Sequence, residues 1–288
     1  MPAKFLKTGL STQNAGVTLR IKEFVVRPGS KVKLGKIDPS DTSGLDKSEG
    51  EKAIDSNVKK LDPLQELLYA EHKHSLLIVL QGMDSAGKDG TIRRVFEGVN
   101  PQGVRVAHFG KPSPEELDHD YLWRAHKQTP ERGEIVIFNR SHYESVLVER
   151  VHELVPETVW SKRYAQIVDF ERMLNEEGTT ILKFFLHIDK KTQAKRFQDR
   201  LDDPTKHWKF SYLDYNERAY WKDYTQAYEE ALEKTSTEWA PWYIVPSDHP
   251  WFRDLVASQA IVKSLEDMDM KYPKLDTKKA VLAAGGPS

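Results

Sequence analysis

Five short apolar segments alternate with longer segments of helical periodicity along the chain. The apolar segments are residues 76–81, 104–109, 134–138, 181–188 and 242–245. A continuous apolar run between turn residues is typical of a strand that is buried on both faces. Strands that alternate with helices predict a parallel sheet with right-handed crossovers and helices on both faces. The pattern therefore predicts an α/β fold, a three-layer sandwich around a five-stranded parallel sheet.

Helical periodicity predicts the elements between these strands. A long helix is expected over residues 51–74, where Pro63 marks a new start or a kink. Ser113 is a good N-cap for a helix that begins at Pro114 and carries residues 118–124. Further helices are expected over residues 91–97, 156–177 and 212–234, after Asp189, and from within residues 246–251 to about Met268.

One principal domain accounts for most of the chain. Residues 61–270 form the predicted core, including a lid at about residues 189–212. Residues 1–60 form a separate N-terminal extension, because residues 25–50 are rich in Lys, Asp, Ser, Gly and Pro and have little periodicity. We expect this extension to be an arm on the surface of the core. The tail, residues 271–288, is expected to be weakly ordered.

The composition is typical of a soluble globular protein. Its 288 residues are 39% hydrophobic and 30% charged, enough for one well-buried core. A net charge of −1 provides no global field that favours nucleic acid or an anionic membrane, so an anionic ligand must be held by local basic clusters. The absence of cysteine excludes disulfides, Cys-ligated zinc and thiol catalysis. Because no apolar run has the length of a membrane span or a signal peptide, we expect a cytoplasmic enzyme without nucleic-acid or membrane partners.

Residues 82–90, with the sequence GMDSAGKDG, join the first predicted strand to the next helix. In this context the pattern G-x-x-x-x-G-K is typical of a P-loop, in which backbone N–H groups and a helix N-terminus bind phosphate and the lysine adds a positive charge. A chance glycine-rich turn is the alternative. The predicted phosphate- and nucleotide-binding residues here are Gly82, Met83, Ser85, Ala86, Gly87, Lys88, Asp89, Gly90 and, in the following helix, Arg93.

This loop departs from the usual P-loop at the residue after the lysine. A standard loop has Ser or Thr there, whose hydroxyl binds Mg²⁺, whereas this chain has Asp89. Mg²⁺ also accepts carboxylate oxygens. Asp84 and Asp89 are therefore the two local candidates to replace the missing ligand.

Asn139, Arg140 and Glu144 follow the third predicted strand. In P-loop proteins a second strand ends in a residue that completes the magnesium shell, and here that residue is Asn rather than Asp. Arg140 offers a cation for phosphate, and Glu144 offers an anion for a metal or for the acceptor. A capped helix start with an Arg–Glu pair is the alternative. Beside a P-loop, we predict that the three residues are catalytic.

Basic residues follow the second and fourth predicted strands. Lys111 lies at the C-terminal end of the second strand, where open α/β sheets bind ligands, and Asp118 follows it. Arg196 and Arg200 share a face of the helix after the fourth strand and suit bidentate binding of phosphate. The loop beyond that helix contains Lys206 and Lys209. We predict a phosphate-binding lid; an ordinary loop lysine and a solvated charged face are the alternatives.

Four segments together resemble the signature motifs of the family-2 polyphosphate kinases. They are residues 82–90, 98–103, 139–144 and 206–209, with the sequences GMDSAGKDG, GVNPQG, NRSHYE and KHWK. The resemblance covers residues 61–270 and keeps the motifs in the order of the family. It implies a thymidylate-kinase-like P-loop fold that moves phosphoryl groups reversibly between inorganic polyphosphate and nucleotides.

The resemblance also implies roles for individual residues. Asp84 would help to hold Mg²⁺, with Mn²⁺ as an alternative metal, and Lys88 would hold phosphate. Arg196 and Arg200 would contact polyphosphate or the transferring group.

Asn139 and Glu144 resemble the third class of the family, which phosphorylates nucleoside mono- and diphosphates. Members restricted to diphosphates carry Asp at the first of these positions and Asn at the second. The implied substrates are polyphosphate with AMP, ADP and ATP, and guanine nucleotides are a further option. The implied assembly is a homo-oligomer, either a dimer or a tetramer.

The sequence leaves two other functions open. An ATP-dependent nucleoside monophosphate kinase shares the P-loop and the lid, but requires ATP as donor. A regulatory nucleotide switch would carry a base-reading motif such as N-K-x-D, which the sequence lacks.

The favoured reaction needs positioning and charge neutralisation more than a general base, because a phosphate acceptor has a second pKa near ~6 and is already an anion. We expect polyphosphate to run along the lid to the P-loop. The nucleotide phosphate would approach in line from the side of Lys111, Asp118 and Glu144.

Overall fold

A computed structural model describes residues 19–209 and 212–275 of the chain. Its strands are β1 (Ser75–Gln81), β2 (Val104–His108), β3 (Ile135–Asn139), β4 (Thr179–His187) and β5 (Trp242–Pro246). They form one parallel sheet in the order β2-β3-β1-β4-β5. The prediction of a five-stranded parallel sheet is therefore confirmed.

Strand β1 lies in the middle of the sheet, and all of its residues are buried. Such a strand can be apolar throughout because both of its faces lie against other elements. In the pairing, Leu80 lies beside Asn139 of β3, and Gln81 lies beside Phe185 of β4. Because parallel strands share one carboxyl edge, the segments that follow β1, β3 and β4 converge there.

Two groups of helices cover the sheet. The helices are α1 (Lys47–Glu71), α2 (Lys88–Val95), α3 (Pro114–Leu117), α4 (Trp123–His126), α5 (Val148–Val151), α6 (Glu157–Glu176), α7 (Lys190–Leu201), α8 (Tyr212–Asn216), α9 (Trp221–Thr235) and α10 (Pro250–Glu266). α10 packs against α1 and α2, and α6 packs against α9, which gives the predicted three layers. None of the described helices combines the length and the apolar character that crossing a bilayer requires.

The helix that begins at Pro114 is shorter than predicted. It ends at Leu117, so the expectation that it carries residues 118–124 is wrong. Asp120 explains the break, because its carboxylate accepts a hydrogen bond from the backbone N–H of Leu122 at 2.9 Å. Such a local side-chain bond competes with continuation of the helix.

Residues 212–234 do not form a single helix either. A 3-10 turn, Glu217–Tyr220, separates α8 from α9. Arg218 in this turn donates hydrogen bonds to the carbonyl oxygen of Lys190 at 3.1 Å and to Oε1 of Gln193 at 2.8 Å. These bonds tie the turn to α7, and the tighter 3-10 geometry replaces the expected α-helix.

The N-terminal segment packs against the edge of the sheet at β5. Val25 forms an antiparallel bridge with Tyr243. Glu229 of α9 accepts hydrogen bonds from the backbone N–H of Leu34 at 2.8 Å and from Nζ of Lys33 at 3.0 Å. The side chain of Leu34 is buried, so this segment contributes to the core as well as to the surface.

Helix α1 runs through residue 60, where the sequence suggested a boundary. A capping box between Asp46 and Glu49 starts the helix, which then continues through Pro63 without a new start. The first part of the predicted arm and most of the predicted tail, residues 1–18 and 276–288, lie outside the described residues.

A buried ion pair joins β4 to α6. Nζ of Lys183 donates to Oε2 of Glu171 at 2.6 Å, and both side chains are 0% exposed. The same ammonium group donates to the carbonyl oxygen of Thr235 at 2.7 Å and lies 3.1 Å from the hydroxyl of Tyr143. Tyr143 belongs to the segment that follows β3, so this network fixes that segment against the helices.

Removing the charge of Lys183 should strongly destabilise the fold. In Lys183→Met the carboxylate of Glu171 stays buried without its counter-ion, and we expect the free energy of unfolding to fall by about 3–5 kcal/mol. The double variant Lys183→Met/Glu171→Leu removes both charges and should recover most of that loss. Urea unfolding of both variants measures the effect. A loss below about 1 kcal/mol in the single variant would contradict this role of the pair.

Candidate active site

The loop between β1 and α2 contains two positions that only glycine can occupy. Gly82 has a φ of 154°, and a Cβ there would lie 2.7 Å from the carbonyl oxygen of Leu186. Gly87 has a φ of 110°, and a Cβ there would lie 1.9 Å from Nη1 of Arg253. The loop therefore wraps closely around the N-terminus of α2, which is the geometry of an anion-binding P-loop.

Lys88, the first residue of α2, folds back onto this loop. Its Nζ donates hydrogen bonds to the carbonyl oxygens of Gly82 at 2.8 Å and Met83 at 3.4 Å. Burial and then the positive charge of Arg140 lower the pKa of Lys88 to about 8, while nearby carboxylates, first that of Asp84, oppose the shift. The ammonium group thus lies within the loop that the sequence assigns to phosphate.

Arg140 links the P-loop to the segment that follows β3. Its Nη2 donates to Oδ1 of Asp84 at 2.7 Å, and its Nη1 lies 3.7 Å from Oε2 of Glu144. Burial raises the pKa of Glu144, and the positive charges of Arg140 and Lys88 oppose that rise. The structure therefore brings Asp84 and Glu144 to the guanidinium group of Arg140, close to the charge of Lys88.

Asn139 and Asp89, the two departures from the usual P-loop pattern, contact each other. Nδ2 of Asn139 donates to Oδ1 of Asp89 at 2.8 Å. In the usual arrangement a hydroxyl lies on the loop and a carboxylate lies at the end of the strand. Here the carboxylate is on the loop and the neutral amide is on the strand. The pair therefore carries one negative charge, which lies on Asp89 of the P-loop and not on the residue at the end of the strand.

The two predicted arginines of α7 have different surroundings. Arg196 donates hydrogen bonds to the carbonyl oxygens of Ser85 at 2.9 Å and Ala86 at 3.1 Å. The guanidinium carbon of Arg200 lies 5.6 Å from the ring centre of Phe197. Arg196 is therefore engaged by backbone carbonyl groups of the P-loop, and contact of either arginine with phosphate stays a prediction.

A pocket opens beside the P-loop, between the segment after β3 and the helices α7 and α9. Gly82, Met83, Asp84, Arg140 and Glu144 line it on the side of the sheet. Sequence reasoning missed the residues that complete the lining: Leu147, Val148, Gln193, Glu217, Arg218, Trp221, Tyr224 and Tyr228.

Glu217 and the aromatic residues of α9 form one wall of this pocket. Glu217 accepts a hydrogen bond from the hydroxyl of Tyr224 at 2.8 Å, and its carboxylate lies 2.9 Å from Nε2 of His152. The spacing of Glu217, Trp221, Tyr224 and Tyr228 is that of one helical face, a signal that could have identified them. An aromatic stripe is equally typical of a core-facing helix, so the spacing alone did not assign it.

Four further predicted residues, Arg93, Lys111, Asp118 and Lys206, are not among the residues that line the pocket. Lys206 in the lid pairs with Asp203 at 2.8 Å. The side chain of Lys209 and residues 210 and 211 lie outside the described part of the chain. Arg93, Lys111 and Asp118 are exposed. The expected approach of the nucleotide past Lys111 and Asp118 therefore has no support from the pocket geometry.

The carboxylates of the P-loop fit a magnesium ion whose other ligands come largely from bound phosphate. Within residues 19–209 and 212–275, no group of three or more His, Asp or Glu side chains forms a ready-made metal site. In phosphoryl-transfer enzymes Mg²⁺ is usually held by one or two carboxylates together with substrate phosphates. Asp84 suits this mode, because it lies on the P-loop and is one of the residues that line the pocket.

Comparison with known proteins gives one consistent result. A family model described as Polyphosphate kinase 2 matches residues 44–273. An AMP/ADP-polyphosphate phosphotransferase of Meiothermus ruber is 54% identical over 259 residues, which are 89% of this chain and 97% of that protein. An ADP-polyphosphate phosphotransferase of Rhodopseudomonas palustris is 46% identical over 272 residues, 89% of this chain and 93% of that protein.

A solved structure shows that the similarity extends to the fold. The crystal structure of Polyphosphate Kinase 2 from Arthrobacter aurescens TC1 superposes with a TM-score of 0.84 at 42% identity. The match covers 90% of this chain and 95% of that one.

Binding of phosphate at this loop should weaken as the pH rises above about 8. An anion binds best to protonated Lys88, whose pKa in the ligand-free loop is about 8, so the contribution of Lys88 to the affinity should be constant below that pH and fall above it. Calorimetric titration with tripolyphosphate from about pH 6.5 to 9.5 measures the fall. The control is Lys88→Arg, whose guanidinium stays charged and whose profile reports only the titration of the ligand. Identical profiles for the two proteins would contradict this assignment.

Proposed function

The chain belongs to the polyphosphate kinase 2 family, and from this membership we propose that it transfers the terminal phosphoryl group of inorganic polyphosphate to AMP and to ADP, reversibly and with Mg²⁺. The observation that carries the proposal is the pocket where the P-loop meets Arg140 and Glu144. There a polyanion can be bound by backbone N–H groups and by two cationic side chains. Phosphoryl transfer through a loose transition state requires this kind of charge stabilisation.

Lys88 and Arg140 are the residues that we assign to the transferring phosphoryl group. Both are held near the loop before any ligand binds, Lys88 by backbone carbonyls and Arg140 by the carboxylate of Asp84. A bound phosphoryl group would replace these partners, so both charges would already lie close to their working positions. Such preorganisation reduces the rearrangement that accompanies the reaction.

Asp84 is the residue that we assign to Mg²⁺, and Asp89 is a second carboxylate on the same loop. When bound, the metal would neutralise charge on neighbouring phosphate oxygens. Asp84 would have to exchange its hydrogen bond with Arg140 for that interaction. Loss of that bond would let the guanidinium group turn towards the phosphate, which links metal binding to the positioning of Arg140.

Both AMP and ADP can serve as acceptors without a general base. Their terminal phosphates have a second pKa near ~6 and are largely ionised at neutral pH. AMP is one phosphate shorter than ADP, so its ribose must lie deeper in the pocket to bring the acceptor oxygen to the same place. We assign Glu144, a carboxylate in the lining, to a hydrogen bond from a ribose hydroxyl at that depth.

A transfer assay with two donors tests the proposed function. With purified protein, Mg²⁺ and long-chain polyphosphate, we expect AMP to yield ADP and ADP to yield ATP, measured by ion-pair chromatography. Lys88→Met should reduce both rates by at least about 100-fold, the scale of losing a charge aimed at the transition state. The matched control is Lys52→Met at an exposed position of α1, which should keep normal rates. Product formation from AMP with ATP but none with polyphosphate would overturn the proposal in favour of a nucleoside monophosphate kinase.

Glu144→Asn should separate the two acceptors. We expect the rate with AMP to fall about tenfold or more while the rate with ADP falls only a few fold, because only the deeper nucleoside uses the carboxylate. Kinetics with each acceptor at saturating polyphosphate measure the ratio. Glu176→Asn, a change of the same kind on an exposed face of α6, should leave the ratio unchanged. Equal losses on AMP and ADP would refute this role of Glu144.

A further inference from the structure

Two side chains of α7 donate hydrogen bonds to consecutive carbonyl groups of the P-loop. Nε2 of Gln193 donates to the carbonyl oxygen of Asp84 at 2.8 Å. Nη1 of Arg196 donates to the carbonyl oxygens of Ser85 at 2.9 Å and Ala86 at 3.1 Å. The helix thus provides donors to the carbonyls at positions 84, 85 and 86.

A second guanidinium group supports the same turn from α10. Arg253 is 4% exposed, and its Nη1 lies 3.5 Å from the carbonyl oxygen of Ala86. Its Nε donates to Oδ1 of Asp254 at 2.8 Å, and that oxygen also accepts a hydrogen bond from Oγ1 of Thr91 at 3.1 Å. Arg253 is therefore fixed both to the loop and, through Asp254, to the helix that follows the loop.

Arg196 also bonds to the segment that follows β5. Its Nη2 donates to the carbonyl oxygens of Ser247 at 2.6 Å and Asp248 at 3.2 Å, in the segment after β5. Burial and the positive charge of Arg253 lower the pKa of Arg196. The fold accepts this proximity of two cations, since each bonds to carbonyl dipoles and Arg253 has a carboxylate partner.

Held carbonyl groups determine where the N–H groups of the loop point. In a trans peptide the C=O and the N–H point in opposite directions. Fixing the carbonyls of Asp84 and Ala86 therefore fixes the N–H groups of Ser85 and Gly87. Within the described part of the chain, neither of these two N–H groups has a hydrogen-bond partner. An anion bound in the P-loop is the partner that these N–H groups can take.

We propose that Gln193, Arg196 and Arg253 form a carbonyl clamp, a set of positioning residues that holds the P-loop in its anion-binding form before any ligand arrives. In this role Arg196 acts through the loop backbone and does not touch the phosphate. The clamp also ties the first helix of the lid to the P-loop. Its consequence for polyphosphate binding rests on the proposed function, but its effect on the empty loop does not.

Hydrogen exchange of the ligand-free protein tests the clamp independently of activity. The N–H of Ala86 bonds to the carbonyl oxygen of Met83 at 3.0 Å, so its exchange reports opening of the loop. In Arg196→Met and Arg196→Lys we expect exchange of residues 82–90 to rise at least about fivefold, because lysine cannot bridge the same carbonyls. The control is Lys195→Met at an exposed position of α7, in which exchange of the empty loop should match that of the wild type.

Binding of tripolyphosphate, measured by calorimetry, provides the second readout. We expect both Arg196 variants to bind about tenfold more weakly, with no rescue by lysine. Unchanged exchange together with substantial rescue by lysine would overturn the clamp and make Arg196 a direct phosphate ligand.

A second variant and the binding of the wild type distinguish failure of the clamp from failure to fold and from failure of the proposed function. If circular dichroism shows that the Arg196 variants do not fold, Gln193→Leu decides the matter, because it removes the hydrogen bond to the carbonyl oxygen of Asp84, together with the bond from Arg218, without removing a charge, and should raise exchange of the loop in the same direction. Unchanged exchange in Gln193→Leu would then overturn the clamp. If the wild type does not bind tripolyphosphate, the proposed function fails, while the exchange result still decides whether the clamp exists.

Discussion

The backbone of the loop between β1 and α2 is the constraint on which the rest of the structure depends. The chain must pass from a strand buried on both faces to a helix, while its N–H groups stay turned towards one anion. Gly82 lies too close to the backbone of Leu186 for a side chain, and Gly87 has a φ of 110°, which disfavours every residue with a Cβ. Neighbouring strands and helices therefore shape the loop as much as its own sequence does.

The charges of the site are paired with one another before a ligand binds. Arg140 lies between the carboxylates of Asp84 and Glu144, and Lys88 is bonded to carbonyl oxygens of the loop. A polyphosphate chain must replace these partners, so part of its binding energy goes into exchanging one set of ion pairs for another. The benefit is that the cations are already partly buried and oriented, which is where an enzyme gains most from electrostatics.

The sheet and the P-loop could be predicted because both depend on local pattern. Apolar runs of strand length predict buried strands, and the glycine spacing in its strand-to-helix context predicts an anion cradle. The roles of Asn139 and Arg196 could not be predicted in the same way. Asn139 pairs with Asp89 across neighbouring elements, and Arg196 bonds to carbonyls whose direction is known only when the loop is folded. The long helix expected after residue 212 was broken for a similar reason, since Arg218 bonds to α7.

The path of the phosphoryl group itself tests the central claim most directly. The protein is incubated with Mg²⁺, unlabelled ADP and polyphosphate that carries an isotopic label, and the ATP formed is analysed by mass spectrometry. Direct transfer at the P-loop predicts ATP whose label is confined to the γ-phosphoryl group. Unlabelled ATP formed together with an equal amount of AMP would show that two ADP molecules had exchanged a phosphoryl group, and would contradict polyphosphate as the donor.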